Sequence, residues 1–188
     1  MGRWEPNARG RLEQAALALY GERGFEKTTV AEIAARAGVT ERTYFRHFAD
    51  KREVLFGGTA ELQAVLTGAV ADAPAAATPL EATGRALEAV GAFFTGNHER
   101  ARRRQAIITA NPELRERELI KTATLAAALA ETLRRRGVPD PAAPLAAEAA
   151  MAVFKVAFER WIDDPAGKEL SDVVRESLSE LKALASPL

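Results

Sequence analysis

The chain has 188 residues, a formal net charge of zero and no cysteine. Its length suits one large or two small domains, and its 47% of hydrophobic residues supply enough apolar surface for a core, which excludes a largely disordered chain. Without cysteine, disulfide scaffolds and thiolate metal sites are excluded as well.

Apolar residues recur with the 3.6-residue spacing of helices in nearly every long segment, and no segment shows the alternation that strands need. We therefore predict an all-α fold of about nine helices, with a three-helix head over residues 1–55 and a C-terminal helical bundle over residues 56–188. The first helix is expected over residues 7–23, and Gly24 ends it as a C-terminal cap.

Two short helices follow in the segment 28–55. Thr29 is expected to cap the second helix, with Glu32 at its third position completing a capping box. Gly38 then turns the chain, because glycine tolerates a positive φ, and Thr40 caps a third helix that ends at residue 47. Two short helices joined by such a turn form a helix-turn-helix, whose second helix enters the major groove of DNA.

The third helix has an apolar and a polar side. Tyr44 and Phe48 lie four residues apart and are expected to face inward. This leaves an outward row whose side chains suit base edges and phosphates: Arg42, Thr43, Arg46 and His47. Thr29 and Thr40 lie at helix N-termini, which favour a phosphate, and Lys51 is expected to reach the adjacent DNA backbone. The head is therefore predicted to bind DNA.

The rest of the chain is predicted to be helical too. Asp50 is expected to cap a long fourth helix, and a connector over residues 73–79 precedes five more helices, at 80–95, 99–110, 113–136, 141–163 and 168–184. The opening residues are too polar for the core of a signal peptide, and the most apolar stretch, 142–162, carries four charged side chains. We expect no membrane span and a cytoplasmic location.

The segment 28–55 resembles the DNA-binding domain of the TetR family of one-component transcription regulators. The ordered elements AEIAARAGVT, TYFRHF and Lys51 with apolar Val54 and Leu55 carry the resemblance, which covers residues 9–56. It implies a dimer that binds a DNA operator and represses transcription until a small molecule releases it. Many members carry tyrosine where this chain has Phe45, whose ring is left to pack against the sugar backbone, with Tyr44 beside it as a further DNA-binding candidate.

A narrower resemblance, to the regulators of mycofactocin gene clusters, rests on RARRRQAIITANPELRERELIK at 100–121 and AVFKVAFERW at 152–161. Some relatives of that kind respond to acyl-coenzyme A, which implies an acyl thioester or another apolar small molecule as effector. The candidates to line its cavity are Phe93, Phe94, Ile107, Ile108, Leu125, Phe154, Phe158 and Trp161. The alternatives are that these residues are plain core, and that the arginine run 102–104 is a solvated helix face and not a phosphate site.

The last two helices are expected to form a twofold dimer interface, as the eighth is apolar around its circumference and one subunit cannot easily cover it. The ninth helix is expected to add Leu170, Val173, Val174, Leu178, Leu181 and Leu184. A twofold dimer presents its recognition helices about 34 to 36 Å apart, so the operator should be a near-palindrome. The alternative is a monomeric bundle with a fully buried central helix.

No enzyme signature is found: the sequence has no nucleophile elbow, phosphate-binding glycine loop or clustered carboxylate pair. The sequence has only one histidine besides His47, namely His98, and no cysteine, so neither a metal nor a cofactor is expected. Residues 1–55 carry a net charge of +2, a weak indication of DNA. The near-neutral head and Phe45 keep one alternative open, a TetR-like architectural or protein-interaction module without operator specificity.

Overall fold

The computed structural model describes residues 7–164 and 167–184, and every regular element within them is helical. The α-helices of these ranges, α1 to α9 in chain order, are Ala8–Arg23, Val30–Arg36, Glu41–His47, Thr59–Ala71, Pro79–Phe93, His98–Ala110, Pro112–Arg135, Ala142–Ile162 and Leu170–Leu184. The predicted all-α class with about nine helices is confirmed. Most of the opening segment considered for a signal peptide, residues 1–6, lies outside the described ranges, as do residues 165–166 of the predicted break before α9.

The fourth helix is shorter than predicted. Asp50 accepts hydrogen bonds at a helix start, as predicted, from the amides of Arg52 and Glu53. The helix that begins there is only a short 3-10 helix, Glu53–Leu55. The side chain of Arg9 donates to the carbonyl of Gly57, in the turn that follows the 3-10 helix. Since two successive glycines disfavour a helix, α4 begins only at Thr59.

The described chain divides into two compact units. The first, called the head unit, contains the residues up to Gly58 together with Arg103–Glu116. Its core holds apolar residues of α1 to α3, among them Tyr44 and Phe48, which were expected to face inward, and it also buries Ile107, Ile108 and Leu114. The predicted boundary at residue 55 is close to Gly58, but a second segment of the head unit, from the end of α6 to the start of α7, was not expected from the sequence.

The second unit, called the body unit, contains Thr59–Arg102 and the residues from Arg117 onward. Its helix α5 packs against α4, α8 and α9. The approach of α5 to α9 is close because it occurs at glycines: a Cβ on Gly91 would lie 2.6 Å from the Cα of Ser171, and one on Gly84 would lie 3.2 Å from Leu178. At Gly91 only glycine allows the two backbones to approach this closely, whereas Gly84 meets the side chain of Leu178.

The two faces of α8 differ in burial. Met151, Val153 and Ala157 are buried in the body unit, as predicted for part of an apolar helix. The opposite face carries residues at helical spacing that are exposed or half-buried: Leu145, Ala149, Ala152 and Val156. This outward stripe of α8 is apolar and has no cover within the described part of its own chain.

Most apolar residues of α9 are not available to a partner subunit. Leu170, Val173, Val174 and Leu178 are buried in the core of the body unit, and Leu181 packs against that core. Of the six residues predicted to face a partner, Leu184 alone is fully exposed, at 85%. The expectation was wrong for the four buried residues, since α5 and α8 already cover that face of α9, while Leu181 is half-buried.

One segment, Glu53–Ala71, is long and apolar enough in composition to cross a membrane, and a third of its most apolar stretch is buried. In the structure it is a 3-10 helix, a glycine turn and the 13-residue α4. At 1.5 Å per residue, α4 is about 20 Å long, shorter than the roughly 30 Å hydrocarbon core of a bilayer. Its Leu62, Leu66 and Val70 are buried in the body unit, so this segment is weak evidence for a span.

Candidate nucleic-acid interface

The helix-turn-helix begins with a capping box. The hydroxyl of Thr29 accepts the amide of Glu32 at 3.3 Å, and the Glu32 carboxylate accepts the amide of Thr29 at 2.9 Å. The α2 helix ends at Arg36, and Gly38 just beyond it has a φ of 67°, while the amide of Val39 donates to the carbonyl of Ala34 at 2.9 Å. This is the C-terminal cap that a glycine with positive φ permits, and it turns the chain sharply into α3.

The inner side of α3 is fixed by two aromatic residues. Tyr44 and Phe48 are buried, with ring centroids 5.4 Å apart. The Tyr44 hydroxyl donates to the carbonyl of Asp50 at 2.9 Å, and burial raises the pKa of this phenol above its ordinary range, so it stays a neutral donor. Although predicted as a DNA-binding candidate, Tyr44 lies in the core and holds the end of α3 in place.

The outer side of α3 presents the predicted row. Thr40, Arg42, Phe45 and Arg46 are exposed, while Thr43 and His47 are half-buried. The Thr40 hydroxyl caps α3 by accepting the amide of Thr43 at 3.2 Å. Phe45 has 55% of its surface exposed, so its ring is accessible to a partner of this surface. Together these side chains form a polar surface with one aromatic ring at its centre.

The arginines of α3 differ from those of the preceding helices. Arg23 pairs with Glu32 at 2.8 Å, and Arg36 pairs with Glu22 at 2.6 Å. Arg42 and Arg46, in contrast, form no ion pair with any other residue that the structure describes. Two unneutralised cations on the exposed side of a recognition helix are available to a polyanion.

Lys51 lies in a different environment from the one predicted. Its ammonium donates to the carbonyls of Phe25 and Glu26, at 3.1 and 3.3 Å, and lies 4.3 Å from the centre of the Phe25 ring. These contacts tie the chain after α3 to the connection between α1 and α2. At least two of its three donors are therefore used within the head unit.

His47 has one ring nitrogen, Nε2, that is buried without a hydrogen-bond partner among the described residues. Its ring lies 6.3 Å from that of Phe48. The described residues hold no group of three or more His, Cys, Asp or Glu side chains that could bind a metal ion. His47 thus packs at the edge of the core, beside the outward row.

The predicted effector-binding residues do not form one cluster. In the body unit, Phe94, Phe158 and Trp161 lie within 6 Å of one another by ring centroids, and Phe93 and Phe154 extend this group. Leu125 is buried in the same core. Ile107 and Ile108 are buried in the core of the head unit and do not belong to the core that holds this aromatic cluster. The spacing of apolar residues in α6 does not indicate whether they are buried in the core of the head unit or in that of the body unit.

A groove between α5 and α9, with a volume of about 520 Å³, was not predicted from the sequence. Its apolar lining includes Leu80 and Leu178, and its charged lining includes Arg85 and Lys182. None of the predicted effector-binding residues lines it. Gly84 of α5 is part of its lining, but the side chain of Leu178 packs close to this glycine, so the sequence carried no clear signal of a groove.

Comparison with known families agrees with this geometry. Residues 13–56 match the family of bacterial regulatory proteins called the tetR family, and residues 77–185 match the family called the MftR C-terminal domain. The chain belongs to the TetR family. Family and relatives are transcriptional regulators and not enzymes, so this TetR-family chain is a transcriptional regulator with an N-terminal DNA-binding domain. The predicted likeness to mycofactocin regulators is confirmed by the second match.

Individual TetR-family relatives are similar at moderate identity. The HTH-type transcriptional regulator TcmR of Streptomyces glaucescens is 39% identical over 82 residues, which cover 44% of this chain and 36% of TcmR. The mycofactocin biosynthesis transcriptional regulator MftR of Mycobacterium tuberculosis is 26% identical over 167 residues, 87% of this chain and 84% of MftR. The structure of Thermus thermophilus FadR with lauroyl-CoA has a TM-score of 0.56, 22% identity and 93% coverage of both chains. The FadR likeness concerns the fold.

Proposed function

We propose that this chain is a dimeric repressor that binds a near-palindromic operator through α3 and is released by an apolar or acyl small molecule. The observation that carries the proposal is the outer side of α3, where Arg42 and Arg46 are exposed and form no ion pair with a described residue. Arginine on a recognition helix reads guanine edges or grips phosphates. Because such a protein acts on chromosomal DNA, its place is the cytoplasm.

Selection of bound duplexes from a random pool tests this proposal. A twofold dimer should select two inverted half-sites whose centres are about 10 base pairs apart or a multiple of that spacing. Selection of unrelated sequences, or of none, would favour the alternative of an architectural or protein-interaction head. The exposed Phe45 and the small net charge of residues 1–55 are consistent with that alternative.

Arg46→Ala is expected to weaken binding to the selected operator by about tenfold, because one base or phosphate contact is worth roughly 1 to 3 kcal/mol. The thermal midpoint should change little, because the side chain is exposed and unpaired within the described residues. Fluorescence anisotropy titration measures the affinity, with Arg135→Ala on α7, 71% exposed by side chain, as the matched control. Equal affinity of Arg46→Ala and parent would remove Arg46 from the interface.

The dimer is proposed to form through the last two helices, with the outward stripe of α8 at its centre. This stripe is apolar and uncovered by the residues that the structure describes, and a symmetric partner covers such a face with the same face. Leu184, near the end of α9, is the residue of α9 best placed to extend the contact. Dimers are typical of the family.

The effector is proposed to contact the aromatic cluster of the body unit. Phe93 is 42% exposed, and Phe94, Phe154 and Phe158 are half-buried, so their rings offer apolar surface that their own core does not fully use. The solved structure of FadR with lauroyl-CoA, a protein of the same fold, is consistent with an acyl chain as the apolar group. Differential affinity for the two states of the dimer would then control DNA release.

Lauroyl-CoA is the probe for this part of the proposal. It is expected to raise the thermal midpoint and to free a labelled operator from the parent protein, because a ligand that binds the folded form stabilises it. Phe158→Ala should weaken both effects, since its ring lies 5.6 Å from those of Phe94 and Trp161. If lauroyl-CoA changes neither the midpoint nor DNA binding, the effector is not of this acyl class.

A further inference from the structure

The head unit contains more than the helix-turn-helix. Its second segment, Arg103–Glu116, buries Ile107, Ile108 and Leu114 in the same core as α1 to α3. Ile108 and Leu114 are at most 1% exposed. The end of α6 and the start of α7 therefore contribute buried side chains to the hydrophobic core of the head unit.

Within this segment, Arg104 contacts the short 3-10 helix that follows α3. Its Nε donates to the carbonyl of Leu55 at 2.6 Å, and its guanidinium lies 5.1 Å from the centre of the Phe56 ring. Leu55 and Phe56 are both buried, and Arg104 itself is half-buried. One planar side chain thus makes a charge-assisted hydrogen bond and a cation-π contact to adjacent residues.

The segment that Arg104 holds, residues 50–57, is attached to the DNA-binding helices at its other positions. The Tyr44 hydroxyl of α3 donates to the carbonyl of Asp50, and the Tyr20 hydroxyl of α1 donates to that of Lys51. Burial raises the pKa of Asp50, but the Arg52 guanidinium and backbone amides outweigh it, and the net pKa lies below its ordinary value. Asp50 therefore remains a charged acceptor that keeps this segment in one conformation.

We propose that Arg104 is a positioning residue for DNA binding: it fixes residues 50–57 and, through Tyr44, the position of α3, without touching DNA itself. This inference rests on the proposed function. It assigns a role in operator binding to a residue of α6, far from the helix-turn-helix in sequence. Since a lysine ammonium lacks the rigid guanidinium plane that donates to Leu55 and lies over Phe56 at once, lysine can fill this role only in part.

Three variants of the full chain test this role. Arg104→Met keeps most of the side-chain volume but loses both contacts, Arg104→Lys keeps the charge, and Arg102→Met is the matched control at an exposed position of the same helix. Arg104→Met is expected to weaken operator binding about tenfold, as the loss of one charge-assisted hydrogen bond would. Arg104→Lys should recover part of this loss, and Arg102→Met should equal the parent. The slope of log affinity against log salt should stay at the parent value, because no phosphate contact is lost.

Hydrogen exchange of the amides of residues 50–58, measured without DNA, gives a second readout. Faster exchange is expected in Arg104→Met, less so in Arg104→Lys, and no change in Arg102→Met. If Arg104→Met equals Arg102→Met in affinity and exchange, the proposal is wrong. A salt slope reduced by about one would instead make Arg104 a direct phosphate contact and also overturn it. Because the exchange experiment needs no operator, it tests the contacts of Arg104 even if the chain proves not to bind a specific operator. If Arg104→Met does not fold, the same comparison is made with Arg104→Lys.

Discussion

Val156→Arg is expected to convert the proposed dimer into a monomer and to reduce operator affinity by about a hundredfold or more, because two linked heads bind far more tightly than one. Val156 is 48% exposed and lies in the outward stripe of α8, with Leu145, Ala149 and Ala152. In a twofold interface each substitution occurs on both sides, so one change places two cations in an apolar contact. Burying an unpaired charge there is strongly unfavourable.

Sedimentation velocity measures the mass, and anisotropy titration with the selected duplex measures the affinity. Ile120→Arg is the matched control, because Ile120 is a 61% exposed aliphatic residue on α7, outside the proposed interface. Ile120→Arg should remain a dimer. If Ile120→Arg dissociates and Val156→Arg does not, α7 and not α8 forms the interface.

Gly91→Ala is expected to lower the free energy of unfolding by about 3 kcal/mol, at the upper end of the usual cost of overpacking. The added Cβ would lie 2.6 Å from the backbone N and the Cα of Ser171. A backbone cannot change rotamer as a side chain can, so α5 and α9 would have to separate. This separation would loosen the contacts of Leu170 and Val174, which are fully buried beside it.

Urea unfolding at one fixed protomer concentration measures this effect, since the stability of a dimer depends on concentration. Gly68→Ala on α4 is the control, because a Cβ there would meet nothing within 4 Å. Replacing a helical glycine by alanine in open space should stabilise the protein by up to about 1 kcal/mol. The two variants should therefore shift the midpoint in opposite directions, and a stabilising effect of Gly91→Ala would show that α5 and α9 are not in close contact.

The parts that were predictable from the sequence are those governed by neighbouring residues. Thr29 with Glu32 signals a capping box, Thr40 signals the start of α3, and Gly38 signals the turn, and each has the predicted role. The inward position of Phe48 follows from helical spacing alone. Local propensity, capping and turn geometry agree in this region, which is why a single sequence suffices to locate it.

The parts that were not predictable depend on contacts between residues far apart in the chain. The spacing of Ile107 and Ile108 indicates a buried helix face but not which core buries it, and the head unit does so. Lys51 is positively charged near the DNA side, yet the carbonyls of Phe25 and Glu26 take its ammonium. The apolar residues of α9 suit a partner as well as the body unit, and only the fold shows that α5 and α8 already cover them.

The most direct test of the account is a titration of the parent protein with two duplexes at several salt concentrations: the selected operator, and the same duplex with both half-sites scrambled. We expect the operator to bind at least about a thousandfold more tightly, with affinity for both duplexes falling linearly on a log-log plot against salt. Equal affinity for the two duplexes would contradict the account, because α3 would then hold DNA without reading it.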